Sequence, residues 1–549
     1  MTLSELLAAP RTRLYRDLVP NSLRRAWAAQ GRYPGADLYT LFERHARRWP
    51  DRPAVVDADG EIGYGDFDVV IRRLAAGLVA LGVEPGDVVS VQLPNSRLSC
   101  ALDFAVAAVG ATLLPFPLGR GDCDIASLLG RSGATVAITA TYYDDFPCAA
   151  RTFELTAEFP QVRAVVAVGG STPPGCVPMS LLLAADPSAF TPVRPDPDSA
   201  ARVLVSSGSE AEPKMVVYSH NALAGGRGRF IAEIRGDREE FRALFLMPLG
   251  TAFGSNATPA TMAANGGTML VLPRFDVHSA LRAIGHGRPT HVFGVPTMIR
   301  KLMDSKELGT TDLSSVDTVV LGGSALDPRT AELVREKLGA TVINVYGSAD
   351  GVNCHTALDD PSGKGHTAGR PNPQVAEIKV VDDELRPVAT GQVGEILARG
   401  PMTPMSYLGA PGLDAKYRTP GGWVRLGDLG RIDEDGYLSV VGRRKDVIIR
   451  GGKNISPAEV EALLQRHPGV RDVACVAVPD PVFGDRMCAC VAGEAGLTLD
   501  DLTRFLVRQG LEPYKLPERL LLREALPVGP AGKVDRLALR QLAVNPSAL

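Results

Sequence analysis

At 549 residues the chain is longer than one ordinary domain, and its 45% hydrophobic and 22% charged residues make a globular composition with no disordered tract. A net charge of -3 leaves no electrostatic footprint for nucleic acid or an anionic membrane surface, and no run approaches about 18 uninterrupted apolar residues, so no nucleic-acid partner and no membrane span are expected. The eight cysteines include no C-x-x-C pair and none of the eight histidines stands four residues from another, so reduced thiols in a cytoplasmic protein are expected, without zinc.

In chain order, the opening MTLSELLAAPRTRLYRDLVP carries no signal-peptide core behind a basic segment. LYTLFERHARRWP reads as an amphipathic helix stopped by Pro50, and AVVDADGEIGYGDFD as a hairpin turning at Asp59-Gly60. VVIRRLAAGLVALGV is a helix ending at Gly82, GDVVSVQLPN a buried strand, and ALDFAVAAVGATLLPF a helix followed by a strand. The alternation returns in TVVLGGSALDPRTAELVREKLGATVINVYG, with a helix from Arg329 to Leu338, and it argues for parallel sheets covered by helices. From about Val375 the period becomes that of a small antiparallel sheet in AEIKVVDDELRPVATGQVGEILARG. Helix AEVEALLQRH, strand DVACVAVP, helix DDLTRFLVRQ and strand RLLLRE then make a compact α+β segment. A boundary in GRRKD gives a large α/β N-terminal domain, residues 1–442, and a small mobile C-terminal one, residues 443–549.

One loop raises a chemical question. In VLVSSGSEAEPK an apolar strand runs into Ser206, Ser207, Gly208 and Ser209, then two glutamates, then Pro213-Lys214. Successive small residues expose backbone N–H groups to an anion, the hydroxyls add donors and Lys214 adds a compact charge. The stretch is not a Walker loop, because Pro213 and Met215 stand where glycine and serine or threonine belong. Taken alone, the stretch is better explained as a solvated loop.

The stretch GWVRLGDLGRIDEDGYLSVVGRRKDVIIRGGKNISPAEVE decides the matter. It resembles the ribose-binding and hinge motifs of the AMP-forming adenylating enzymes, the superfamily of acyl-CoA synthetases, peptide-synthetase adenylation domains and luciferases. SSGSEAEPK then matches that family's phosphate loop, and LGGSALDP, NVYGSADG, GEILARGP and LPVGPAGKVDR match in order over roughly residues 40–540. Six motifs in register are specific, and the texture is closest to acyl-CoA ligases.

The resemblance implies two half-reactions: a carboxylate attacks the α-phosphate of ATP, then an acceptor, commonly the thiol of coenzyme A, displaces AMP. It implies ATP and Mg²⁺ as cofactors, a small or medium acid, aromatic acids among them, as substrate, and coenzyme A or a separate carrier protein as acyl acceptor. Lys533 would bridge the attacking carboxylate and the α-phosphate, with Lys214 and Asp350 as further catalytic groups and Asp350 serving the metal. Asp428 would accept the ribose hydroxyls, Arg443 would contact ribose or phosphate, and Tyr346 would stack on adenine. Gly323, Ser324, Asn344 and Gly347 complete the nucleotide site, beside Ser206, Ser207, Gly208 and Ser209. Lys445 matches the hinge, and Gly451 and Gly452 the thiol's route; surface lysine and hairpin turn are the plain alternatives. Thr251, Ala252, Ser255, Ser348 and Gly351 are candidates for the acid pocket.

Departures from the pattern bear on the chemistry. Ala349 and Asp350 replace threonine and glutamate, Leu426 replaces a threonine, and Thr251 stands where many relatives carry an aromatic residue or histidine. Two alternatives follow: unusual chemistry, such as nitrite activation or an amine or carrier-protein acceptor, and a non-catalytic nucleotide-binding relative.

Overall fold

The computed structural model describes residues 15–206, 213–324, 326, 328–450, 453–480, 484–529 and 533–544. The chain folds into two compact units, one of Met1–Arg229, Leu249–Gly266 and Pro401–Gly422, the other of Phe230–Pro248, Gly267–Gly400 and Trp423–Leu549.

In the first unit, an eight-stranded sheet runs in the order Ser406–Tyr407, Met215–Ser219, Ala200–Val205, Thr112–Pro115, Val88–Gln92, Val136–Ala140, Ala164–Val168 and Val177–Pro178. Its centre is parallel, and strands such as Val136–Ala140 are buried at every position, which is why they read as unbroken apolar runs. Helices between the strands carry local start signals: Asp37 accepts from the Thr40 amide, and Ser96 and Ser99 cap each other reciprocally. The Leu38–Arg48 helix matches the sequence reading, whereas the next helix, Tyr64–Ala80, starts five residues before the stretch read as helical, inside the segment assigned to the hairpin. The hairpin also forms, but Asp57 pairs with Gly60, so its two-residue turn is Ala58-Asp59 and Gly60 (φ +96°) opens the return strand. A departure from pure parallel order matters more. Ala200–Val205 and Met215–Ser219, the strands on either side of the candidate phosphate loop, pair antiparallel.

In the second unit, strands Val352–His355, Thr341–Ser348, Thr318–Gly322, His291–Gly294, Arg242–Phe245 and Thr268–Val271 lie side by side in that order. All pairs are parallel except the Thr341–Ser348/Val352–His355 hairpin. Glu377–Val381, Gly394–Arg399, Trp423–Ile432 and Leu438–Arg443 form the expected antiparallel sheet. The C-terminal stretch has a sheet of its own with an apolar cluster on each face, one around Val460, Leu464 and Leu502, the other around Val476, Leu539 and Ala543. Its long strand Gly484–Gly493, rich in alanine and cysteine rather than β-branched residues, escapes the sequence reading.

Gly369 is the most constrained glycine of the second unit. It has φ +80°, and a Cβ there would lie 1.7 Å from the His355 carbonyl oxygen. Gly369→Ala is expected to destabilise the protein by ~3 kcal/mol or more, combining left-handed strain with a backbone clash. Thermal unfolding checks this; an unchanged Tm would contradict the packing.

Candidate active site

Five of the sequence-selected residues in the second unit, Gly323, Tyr346, Asp428, Arg443 and Lys533, cluster together. Asp428 and Arg443 face each other across two paired strands, and Arg443 Nε lies 3.3 Å from Asp428 Oδ1. The Tyr346 hydroxyl donates to Asp428 Oδ2 at 2.6 Å. A carboxylate has about four lone-pair positions, so Asp428 keeps capacity for further donors such as sugar hydroxyls. Burial pushes the Asp428 carboxyl up, against the pull of Arg443 and of the Tyr346 hydroxyl. The same burial, with the Asp428 charge, raises Tyr346 well above the usual phenol range and keeps it a donor.

Lys533 lies over the backbone of Gly323: a Cβ on Gly323, whose φ is +86°, would meet Lys533 Cε at 3.5 Å and Nζ at 3.9 Å. Glycine is favoured here by its backbone angle, while a Cβ would make only ordinary van der Waals contact with the lysine. Solvent reaches part of the Lys533 side chain, yet protein atoms crowd it. That crowding and the Arg443 charge push its ammonium below the ordinary lysine range, and Asp428 opposes them. The neighbouring Ser324 is exposed.

Around Tyr346 the supports are local. A Cβ on Gly347 would come within 2.8 Å of Asn353 Nδ2, its cross-strand partner's side chain. Asn344 is buried, donates its backbone amide to Thr356 Oγ1 (2.9 Å) and its Nδ2 to the Thr367 carbonyl (2.8 Å), so it ties two loops together. Asp350 is buried, and the Ser348 hydroxyl lies 3.1 Å from both its Oδ2 and its amide nitrogen. Gly351 follows at φ +105°. The charge of Asp350 raises both Tyr346 and Asp428, so two carboxylates share one electrostatic neighbourhood that a cation would relieve. Among the described residues no group of three His, Cys, Asp or Glu could cage a metal. A single hard oxygen donor fits Mg²⁺, which keeps waters and takes its remaining ligands from phosphates. Lys445 is exposed in the Arg444–Asp446 turn, just after Gly442, where a Cβ would lie 2.9 Å from Ser456 Oγ.

The first unit holds the other candidates. Ser206 donates its amide to the Lys214 carbonyl (3.0 Å), closing the base of the candidate phosphate loop, and its buried hydroxyl has no partner among the described residues. Lys214 is 8% exposed, with Nζ 3.7 Å from the Tyr417 ring centre and 5.5 Å from that of Tyr407. This aromatic seat holds a cation by the ring quadrupoles, and only distant pairing of Ser406–Tyr407 with Met215–Ser219 creates it. Ser207, Gly208, Ser209, Glu210, Glu212, Gly451 and Gly452 lie outside the described residues.

Thr251 and Ala252 are half-buried, and Thr251 caps a short turn: its carbonyl takes the Ser255 amide (2.7 Å) and its hydroxyl the Gly254 amide (3.3 Å). Ser255 is fully buried, and its hydroxyl is engaged by Arg202 Nε at 2.9 Å. Its side chain is thus part of the packing beneath the turn.

Parallel sheets, a buried carboxylate gripped by tyrosine and arginine, and a lysine laid over a glycine backbone define a nucleotide-binding α/β enzyme. The chain belongs to the AMP-binding enzyme family: the family model matches residues 42–408, and the model of the family's C-terminal domain matches residues 459–533. It is an AMP-forming ligase of the adenylating superfamily that includes acyl-CoA ligases. It is 32% identical over 539 residues to a 2-hydroxy-7-methoxy-5-methyl-1-naphthoate–CoA ligase of Streptomyces carzinostaticus, covering 95% of this chain and 96% of that one. It is 33% identical over 533 residues to the salicyl-AMP ligase/salicyl-S-ArCP synthetase of Mycobacterium tuberculosis, covering 94% and 93%. Among solved structures it resembles the amide bond synthetase McbA from Marinactinospora thermotolerans, at TM-score 0.80 and 29% identity over 92% of this chain and 99% of that one. No helix among the described residues is long and apolar enough to cross a membrane.

Proposed function

We propose that the protein adenylates a small or medium carboxylic acid, preferentially an aromatic one, and transfers the acyl group to coenzyme A. The cluster of Lys533, Gly323, Asp428, Arg443 and Tyr346 carries this reading. Lys533 stabilises charge at the attacked phosphate, Asp428 takes the ribose hydroxyls, and Tyr346 lies against the base. Ser206 and Lys214, with the rest of the candidate phosphate loop, hold pyrophosphate, and Asp350 serves Mg²⁺. The names of a naphthoate–CoA ligase and a salicyl-AMP ligase among similar proteins support the aromatic acid and leave two acceptors in view.

The large and small domains meet at residues 442/443 with Lys445 as hinge. The Arg444–Asp446 turn there, between two strands and outside both family matches, supports this placement. A cytoplasmic site of action is part of the same proposal.

A second acceptor reading is an amine, favoured by the likeness to an amide bond synthetase. AMP release measured with an aryl-acid panel, with and without coenzyme A, a carrier protein, amines and nitrite, separates these readings. Stimulation by coenzyme A supports the proposal; release indifferent to it but driven by another acceptor overturns the thioester step.

A further inference from the structure

A buried ion pair lies beneath the turn that carries Thr251. Arg202, in the strand that enters the candidate phosphate loop four residues later at Ser206, bonds through Nη1 to Asp103 Oδ1, and both side chains are almost completely buried. Its Nε donates to Ser255 Oγ at 2.9 Å. The Thr258 hydroxyl lies 3.7 Å from the Cys100 sulfur and also bonds Asp103, closing a polar cluster inside an apolar surround. The turn is fastened upstream as well. Asn95 Oδ1 accepts the Leu249 amide at 2.8 Å, and a Cβ on Gly250 would come within 2.7 Å of the Phe116 carbonyl carbon.

A buried Arg–Asp pair is a poor source of stability, because desolvating both charges cancels much of their attraction; where such pairs persist, fixing one arrangement is a better-attested use. This guanidinium has a specific arrangement to fix. One fork joins the helix carrying Asp103, the strand feeding the candidate phosphate loop, and the turn whose geometry sets Thr251.

We propose that Arg202, anchored by Asp103, is a positioning residue that acts through Ser255 to set the place of Thr251 and so the enzyme's discrimination among acids. The inference rests on the acid-ligase reading above. Arg202 is 3% exposed with its contacts made to Asp103 and Ser255, so its removal is expected to alter acid recognition through the turn and to leave ATP recognition in place.

The test replaces the pair by apolar residues of similar volume, Arg202→Met with Asp103→Leu, since such exchanges are often neutral or stabilising. Pyrophosphate exchange is then measured with a graded series of acids. The expected result is a native-like melting temperature, an acid KM raised about tenfold, an ATP KM within about twofold, and a narrowed preference among acids. Hydrogen exchange at the Gly254 and Ser255 amides is read on the same samples and is expected to quicken. A folded double variant with unchanged acid KM and unchanged amide protection overturns the proposal. If the double variant does not fold, Ser255→Ala decides: it is expected to give the same pattern in smaller measure with Ser255→Thr restoring it, and unchanged kinetics and protection overturn the proposal. If the native protein exchanges with no acid, the acid-ligase reading falls, and amide protection still decides whether Arg202 holds the turn.

Discussion

Lys533→Ala is expected to lower adenylate formation by about 10²–10³-fold while ATP binding changes little. The lysine is a preorganised cation over the Gly323 backbone, and removing one such transition-state donor typically costs that much in kcat. Pyrophosphate exchange reads the first quantity and calorimetry the second. The charge state gives an independent sign. Crowding and Arg443 hold the Lys533 ammonium below the ordinary lysine range, so the catalytic form is present at lower pH and is lost as pH rises through that depressed value. The alkaline limb of the native profile should therefore fall below where a free lysine would place it. Exchange by Lys533→Ala within a few-fold of native would remove this lysine from the mechanism.

Asp428→Asn is expected to weaken ATP binding by about 100-fold. The substitution replaces a charged acceptor by an amide, and hydrogen bonds to charged groups are worth ~1.5–3 kcal/mol each. It also leaves Arg443 beside a neutral partner. Tyr346→Phe serves as the control, because it deletes the 2.6 Å bond to Asp428 while keeping an aromatic face. That variant should lose only about three- to tenfold, because the deleted bond orients Asp428 and leaves the carboxylate itself in place for the nucleotide. If Asp428→Asn binds ATP as the native protein does, the carboxylate is a structural ion pair and nothing more.

The residues that carry both expectations are legible in the sequence because each sits in a motif that resembles the family's. Asp428 and Arg443 lie fifteen residues apart, and one hairpin register is enough to pair them. Lys533 joins Gly323 only through the fold, so its place rests on family likeness and not on local pattern. Alternating helices and strands, and the change of texture near Val375, follow from hydrophobic period and are visible without coordinates.

Other features are hidden for a physical reason: they are made by distant segments. Tyr407 and Tyr417 reach Lys214 because strand Ser406–Tyr407 adds to the edge of Met215–Ser219 across nearly two hundred residues. Arg202 and Asp103 read separately as one charged residue in a buried strand and one in a buried helix; only the fold makes each the other's counter-ion. Ser255, a pocket candidate by sequence, has its hydroxyl committed to Arg202, a role that spacing along the chain does not reveal. The candidate phosphate loop gives no local sign of the antiparallel pairing between Ala200–Val205 and Met215–Ser219 that flanks it.

The central claim is that this site activates a carboxylate with ATP. Its most direct test is acid-dependent pyrophosphate exchange by the full chain with Mg²⁺ across aryl and aliphatic acids. The account expects exchange with at least one aromatic acid, lowered about 10²–10³-fold by Lys533→Ala. A folded protein that binds ATP yet exchanges pyrophosphate with no acid would contradict it.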